Sequence, residues 1–193
     1  PYEQICCGYD TTLGELRRDI NWLKQNMQIA NGNAKVVVYY AGHGIPDENT
    51  QSAYLLPVDG TGSNARTGYG LSSLYKTLSS IPSESVTVLL DACFSGSKRE
   101  GDMLASARGV AIKVKEEKPQ GNLVVLSASK GDETAYPYNE KKHGLFTYYL
   151  LEKLRMSKGY TTLGELSDYV TDKVRRSSII NNGKLQTPTI VTS

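Results

Sequence analysis

Two apolar, β-branched runs along the chain each stop at a reactive side chain followed by glycine. The first is Val36-Val37-Val38-Tyr39-Tyr40-Ala41, leading into Gly42-His43-Gly44. The second is Val86-Thr87-Val88-Leu89-Leu90-Asp91-Ala92, leading into Cys93-Phe94-Ser95-Gly96. Runs of this kind with turn residues behind them predict buried parallel strands. Residues 123–127 and 188–191 predict two more strands, residues 2–7 a short one, and residues 53–57 a small hairpin arm. Between them the period changes to that of a helix. Leu13, Leu16, Ile20, Leu23 and Met27 share one face behind a threonine N-cap in Thr11-Thr12-Leu13-Gly14-Glu15, and Asn31-Gly32-Asn33 ends that helix. Residues 71–78, 144–156 and 163–176 predict the remaining helices. Strands alternating with helices give an α/β domain with a mostly parallel sheet. In such sheets chemistry gathers at the carboxyl ends of the strands. His43 and Cys93 are therefore expected side by side on one rim.

The strings Thr11-Thr12-Leu13-Gly14-Glu15-Leu16 and Thr161-Thr162-Leu163-Gly164-Glu165-Leu166 read as two helix starts, with no further register to support duplication. Residues 97–120 are polar, charged and glycine-punctuated, weakly apolar only over 110–114. A long insert of this sort is usually functional or mobile. The lysines and glutamates of 113–118 read as a solvated charge run, and Gly60-Thr61-Gly62-Ser63-Asn64-Ala65 as a loop, since it opens no helix from a buried strand.

Bulk properties narrow the function classes. The 193 residues make one domain that can bury roughly 70% of its unfolded surface, so neither disulfide nor metal is required for folding. A net charge of +2 gives no field suited to nucleic acid. No apolar run approaches the ~20 residues of a membrane span, so a soluble protein is expected, of unknown compartment. Three cysteines make no disulfide framework, and two histidines without a Cys-x-x-Cys pair make a metal site improbable. The adjacent Cys6 and Cys7 are expected to be plain core or strand residues.

A histidine beside a cysteine equips a thiol nucleophile. Cys93 would attack a carbonyl, while His43 would help form the thiolate and protonate the leaving group. Asp91 shares the face of Cys93, two residues away on a strand. Its carboxylate would lie in the pocket floor and favour a cationic partner over an acidic one, or would merely cap local backbone. Asp132, in the turn after the next strand, would line the same cleft or serve only its turn. His143, beside Lys141-Lys142 and before a helix start, is expected at a surface capping position.

His43-Gly44 followed fifty residues later by Asp91-Ala92-Cys93-Phe94-Ser95-Gly96 resembles the caspase-like cysteine peptidases, caspases and metacaspases among them. The Ser127-Ala128-Ser129 strand end and the Gly144-Leu145-Phe146-Thr147 helix start extend the resemblance over nearly the whole chain. It implies a three-layer sandwich with helices on both faces of the sheet. It also implies an oxyanion hole from the amides of Gly44 and Cys93. Aspartate at 91, where caspases carry glutamine, looks like the metacaspase and clostripain-like pattern, pointing to cleavage after arginine or lysine.

By the same resemblance, residues 1–97 are large-subunit-like, 98–120 a linker and 121–193 small-subunit-like. The linker's basic residues are candidate self-cleavage points, Arg108 first, then Arg99, Lys113 and Lys115. Lys118 is the poorest because Pro119 follows. The family's first strand and helix are expected ahead of Pro1, with residues 2–7 as its second strand. A cleaved N-terminal chain would then complete the sheet. The implied partners are protein or peptide substrates, with no cofactor; calcium activation occurs among metacaspases, yet no residue here ties to it. Competing expectations are a catalytically silent caspase-like assembly module and another thiol hydrolase such as a deamidase.

Overall fold

Thr12 starts the first helix. Its side-chain oxygen accepts the Glu15 amide at 3.3 Å while Glu15 Oε2 accepts the Thr12 amide at 2.9 Å. This reciprocal box satisfies two amides that an isolated helix start leaves bare. It opens α1 (Leu13–Ile29). The same box recurs between Thr162 and Glu165, at 3.2 and 3.0 Å, and opens α4 (Leu163–Asn182). The two similar strings are thus two capping devices. In both, the amides hold the glutamate carboxyl below its ordinary range.

The computed structural model describes residues 4–94, 114–115 and 117–192. Its four-stranded sheet has the order β1 (Lys35–Ala41), β5 (Ser85–Asp91), β6 (Leu123–Ser127), β9 (Thr189–Thr192). The first three are parallel and β9 runs antiparallel to β6. After β1 the chain folds back as a small antiparallel sheet of β2 (His43–Pro46), β3 (Ala53–Leu56) and β4 (Tyr69–Gly70), the expected hairpin arm with one further short strand. A two-residue pair, β7 (Pro137–Tyr138) and β8 (His143–Gly144), precedes α3 (Leu145–Met156).

Helices cover both faces, as a three-layer α/β arrangement requires. On one side α1 and α2 (Leu71–Ser79) bury Met27, Leu74 and Leu78 against Val36, Val86, Val88 and Leu90. On the other, α3 and α4 bury Phe146, Leu150, Val170 and Val174 against Leu89 and Leu126. The alternation of strand side chains sorts neighbours between the two cores. At β1 the second layer runs out, leaving Val37 69% and Tyr39 48% exposed. Among the described residues, no strand pairs with the outer edge of β1, and no helix is long and apolar enough to cross a membrane.

Four expectations change here. The run over 36–41 is a parallel strand but not a buried one, because β1 lies at the edge of the sheet, where, among the described residues, one face is left without a covering layer. Residues 5–8 form no strand, and Cys6 and Cys7 are exposed free thiols instead of core residues. A strand needs a ladder partner for its amides and carbonyls, and this segment meets none among the described residues. Residues 1–3 lie outside the described part. The last helix runs past Arg176 to Asn182. Ser177 and Ser178 are weak helix formers, but both are buried, taking hydrogen bonds from Tyr149 Oη and from the Gln186 amide; packing overrides propensity. Nor is the charge run over 113–118 wholly solvated. Glu117 Oε2 is shielded from solvent with no hydrogen-bond partner among the described residues, and Pro119 is buried.

Candidate active site

The ladder between β1 and β5 ends with Ala41 opposite Asp91, and the Gly42 amide still donates to the Asp91 carbonyl at 3.2 Å. His43 and Cys93 each follow two residues later, at the ends of adjacent strands. Tyr40 then fixes the turn: its hydroxyl lies 2.8 Å from the His43 carbonyl and 3.1 Å from that of Leu56. The two strand ends meet at Gly44. A Cβ placed there would stand 2.6 Å from the Cys93 carbonyl oxygen and 2.4 Å from Phe94 Cδ1. Only a residue without a side chain allows this approach.

Cys93 is buried, 8% exposed, and its sulfur faces the loop beyond β6. The Ala135 amide donates to Sγ at 2.7 Å, and the thiol reaches the Ala135 carbonyl at 3.4 Å. Asp91 lies on the same face of the sheet, only 2% exposed. Its Oδ2 accepts the amide of Thr147 at 3.3 Å and the hydroxyl at 2.5 Å. Tyr39 Oη is 2.8 Å from the same hydroxyl oxygen. A carboxylate at a helix start is favourably placed, since the helix dipole and bare amides both suit negative charge. Of the two roles foreseen for Asp91, the local cap is therefore filled.

Asp132 is exposed on its turn, in the same loop as Ala135. His143 is exposed in β8, one residue before the Gly144 N-cap of α3. Arg99, Arg108 and Lys113 lie outside the described residues. Lys115 is exposed, with its amide donating to the Gln51 carbonyl at 2.9 Å. Among the described residues no group of three or more His, Cys, Asp or Glu could hold a metal ion.

Several residues at the site carry no signal in the sequence. Ala135 touches the sulfur through its backbone alone, so its side chain advertises nothing. Gln186 is fully buried and braces the Ala135 loop, yet in sequence it is one polar residue before Thr187-Pro188. Thr147 does stand in a motif, but as a helix start and not as a partner of Asp91.

The model of the caspase domain family matches residues 3–193. No curated protein matches the chain significantly. Among solved structures, caspase-1 from Spodoptera frugiperda superposes with a TM-score of 0.59 at 17% identity, covering 95% of this chain and 68% of that one. A protein from Geobacter sulfurreducens superposes with a TM-score of 0.58 at 16% identity, covering 92% and 73%. At such identities the structures share the fold, while the family match spans both motif-bearing strand ends and everything between them. The chain belongs to the caspase domain family, whose members are cysteine peptidases.

Proposed function

We propose that this chain is a cysteine endopeptidase working through Cys93 and His43. The observation that carries it is the tight approach at Gly44, where an added Cβ would stand 2.6 Å from the Cys93 carbonyl oxygen, so that the histidine and cysteine turns lie close together. The Cys93 sulfur attacks the scissile carbonyl carbon, and His43 takes the thiol proton and returns it to the leaving amine. The amides of Gly44 and Cys93 receive the developing oxyanion. Water then hydrolyses the thioester, regenerating the thiol, and no cofactor takes part.

Cleavage after arginine or lysine is the finer part of the proposal. Asp91 supports it as a buried acidic side chain on the same sheet face as the nucleophile. Asp132, exposed on the loop that touches Cys93, would add a second acidic contact. Self-cleavage between residues 98 and 118 supplies the same specificity in cis, with Arg108 the preferred point. Lys115 is the less open one, because its backbone is tied to Gln51. The outer edge of β1, with Val37 and Tyr39 exposed beside it, would take the segment that completes the sheet.

Fluorogenic peptides with arginine, lysine or aspartate before the scissile bond test this directly. Hydrolysis of the basic pair, lost in Cys93→Ala, supports the proposal. A folded protein that cleaves none and takes up no peptidyl thiol electrophile at Cys93 under reducing conditions is instead a silent assembly module.

A further inference from the structure

The sulfur of Cys93 rests on a loop with little regular structure, so something else must hold that loop in place. The amide and carbonyl of Ala135 embrace Sγ. Two braces fix the loop from behind, and both come from consecutive residues leading into β9. Gln186 is 0% exposed. Its Oε1 accepts the Tyr136 amide at 2.8 Å, and its Nε2 donates to the Ala128 carbonyl at 2.9 Å. One side chain thus ties the loop's first and last turns together. Its own amide donates to Ser178 Oγ on α4 at 2.9 Å, which anchors the brace to a helix. Thr187 is the second brace: its amide and hydroxyl donate to the two carboxylate oxygens of Glu133, the hydroxyl at 3.0 Å.

Burying an amide side chain is costly unless all its polar atoms are matched, and an apolar residue would fill the same space more cheaply. Here both ends of the side chain are matched, and both partners belong to the loop on which the nucleophile rests. We infer that Gln186 is a positioning residue for the nucleophile. By pinning Tyr136 and Ala128 it keeps the Ala135 N–H aimed at the Cys93 sulfur. An N–H directed at sulfur favours thiolate over thiol and fixes the resting side chain against the Ala135 loop. This rests on Cys93 being the nucleophile proposed above.

The test compares two substitutions by the rate of iodoacetamide alkylation at Cys93 in the folded protein. Peptide mapping separates that signal from the exposed Cys6 and Cys7. Gln186→Met conserves volume and removes both hydrogen bonds. Gln186→Glu, kept neutral by burial beside the Ala128 carbonyl, can still accept from Tyr136 and donate to Ala128. The inference predicts alkylation about tenfold slower in Gln186→Met and within about threefold of the parent in Gln186→Glu. Mere space-filling predicts the reverse order, because methionine suits a buried site better. Parent-like rates in both, or Gln186→Met at least as fast as Gln186→Glu, overturn the inference.

Should Gln186→Met fail to fold, Thr187→Val takes its place. It removes only the hydroxyl bonded to Glu133, and about threefold slower alkylation is expected, an unchanged rate being the contrary result. A parent that alkylates at Cys93 but hydrolyses no peptide defeats the peptidase proposal and leaves the brace standing. A parent that hydrolyses peptides, with variants of unchanged thiol reactivity, defeats the brace alone.

Discussion

Asp91 and Thr147 join the end of the cysteine strand to the start of α3, through Oδ2 accepting both the amide and the hydroxyl of Thr147. The pairing gives a buried carboxylate two donors and the helix a charged cap. It also links the end of the cysteine strand to the outer strand of the sheet, because the Tyr39 hydroxyl contacts the same threonine oxygen. A carboxyl group held this way is positioned by one backbone and one side-chain donor at the start of α3, so its place relative to Cys93 is set by the fold.

The space around that pairing is tight. A Cβ on Gly144 would lie 2.2 Å from Asp91 Oδ2. Gly144→Ala should force the carboxylate off Thr147 and cost about 1–3 kcal/mol, in the range of other overpacked sites. Urea unfolding measures it. Stability equal to the parent would mean that α3 can shift away without loss.

Substrate choice should follow the Asp91 charge. Peptides with arginine before the scissile bond should be preferred over otherwise identical aspartate peptides by at least ~2 kcal/mol in kcat/KM, since a desolvated like-charge contact is penalised. Asp91→Asn should narrow the gap while leaving Cys93 able to react with iodoacetamide. Faster turnover of the aspartate peptide in the parent would reverse the specificity assignment.

Glu117 should make the docking of its segment pH-dependent. Burial lifts its carboxyl above the ordinary value, with Lys115 pulling the other way. The neighbouring Tyr75 phenol is pushed up by its own burial and by the Glu117 charge. Because the folded form holds the proton more tightly than the unfolded form, stability is greatest below the unfolded value. It falls as pH rises through the raised folded value. Glu117→Gln should therefore melt higher than the parent at pH 7, by no more than about 3 °C, and the gap should close toward pH 4. An equal gap at both pH values would show that the carboxyl is not titrating in this window.

The α/β class, most strands and the helix starts were legible wherever one stretch of chain carried its own signal. The runs ending at His43 and Cys93 announce parallel strands, although only the second is buried along most of its length, and Thr12 with Glu15 and Thr162 with Glu165 announce helix starts. What escaped depends on contacts between distant residues. The Ala135 amide meets Cys93 across 42 residues, Gln186 meets Tyr136 across 50, and Asp91 meets Thr147 across 56. Periodicity reports which face is apolar, not which remote backbone group a polar side chain will find. Residues 5–8 failed in the opposite sense: their composition suits a strand, but a strand also needs a neighbour.

Whether Cys93 and His43 act together on peptide bonds is decided by the hydrolysis rate of an arginine peptide by the parent, Cys93→Ala and His43→Ala. Circular dichroism checks that each is folded, which matters most for Cys93→Ala because Cys93 is buried against the second core. Turnover is expected in the parent and less than about a thousandth of it in either variant, as loss of a nucleophile or its base typically costs. Either folded variant retaining more than that would contradict it.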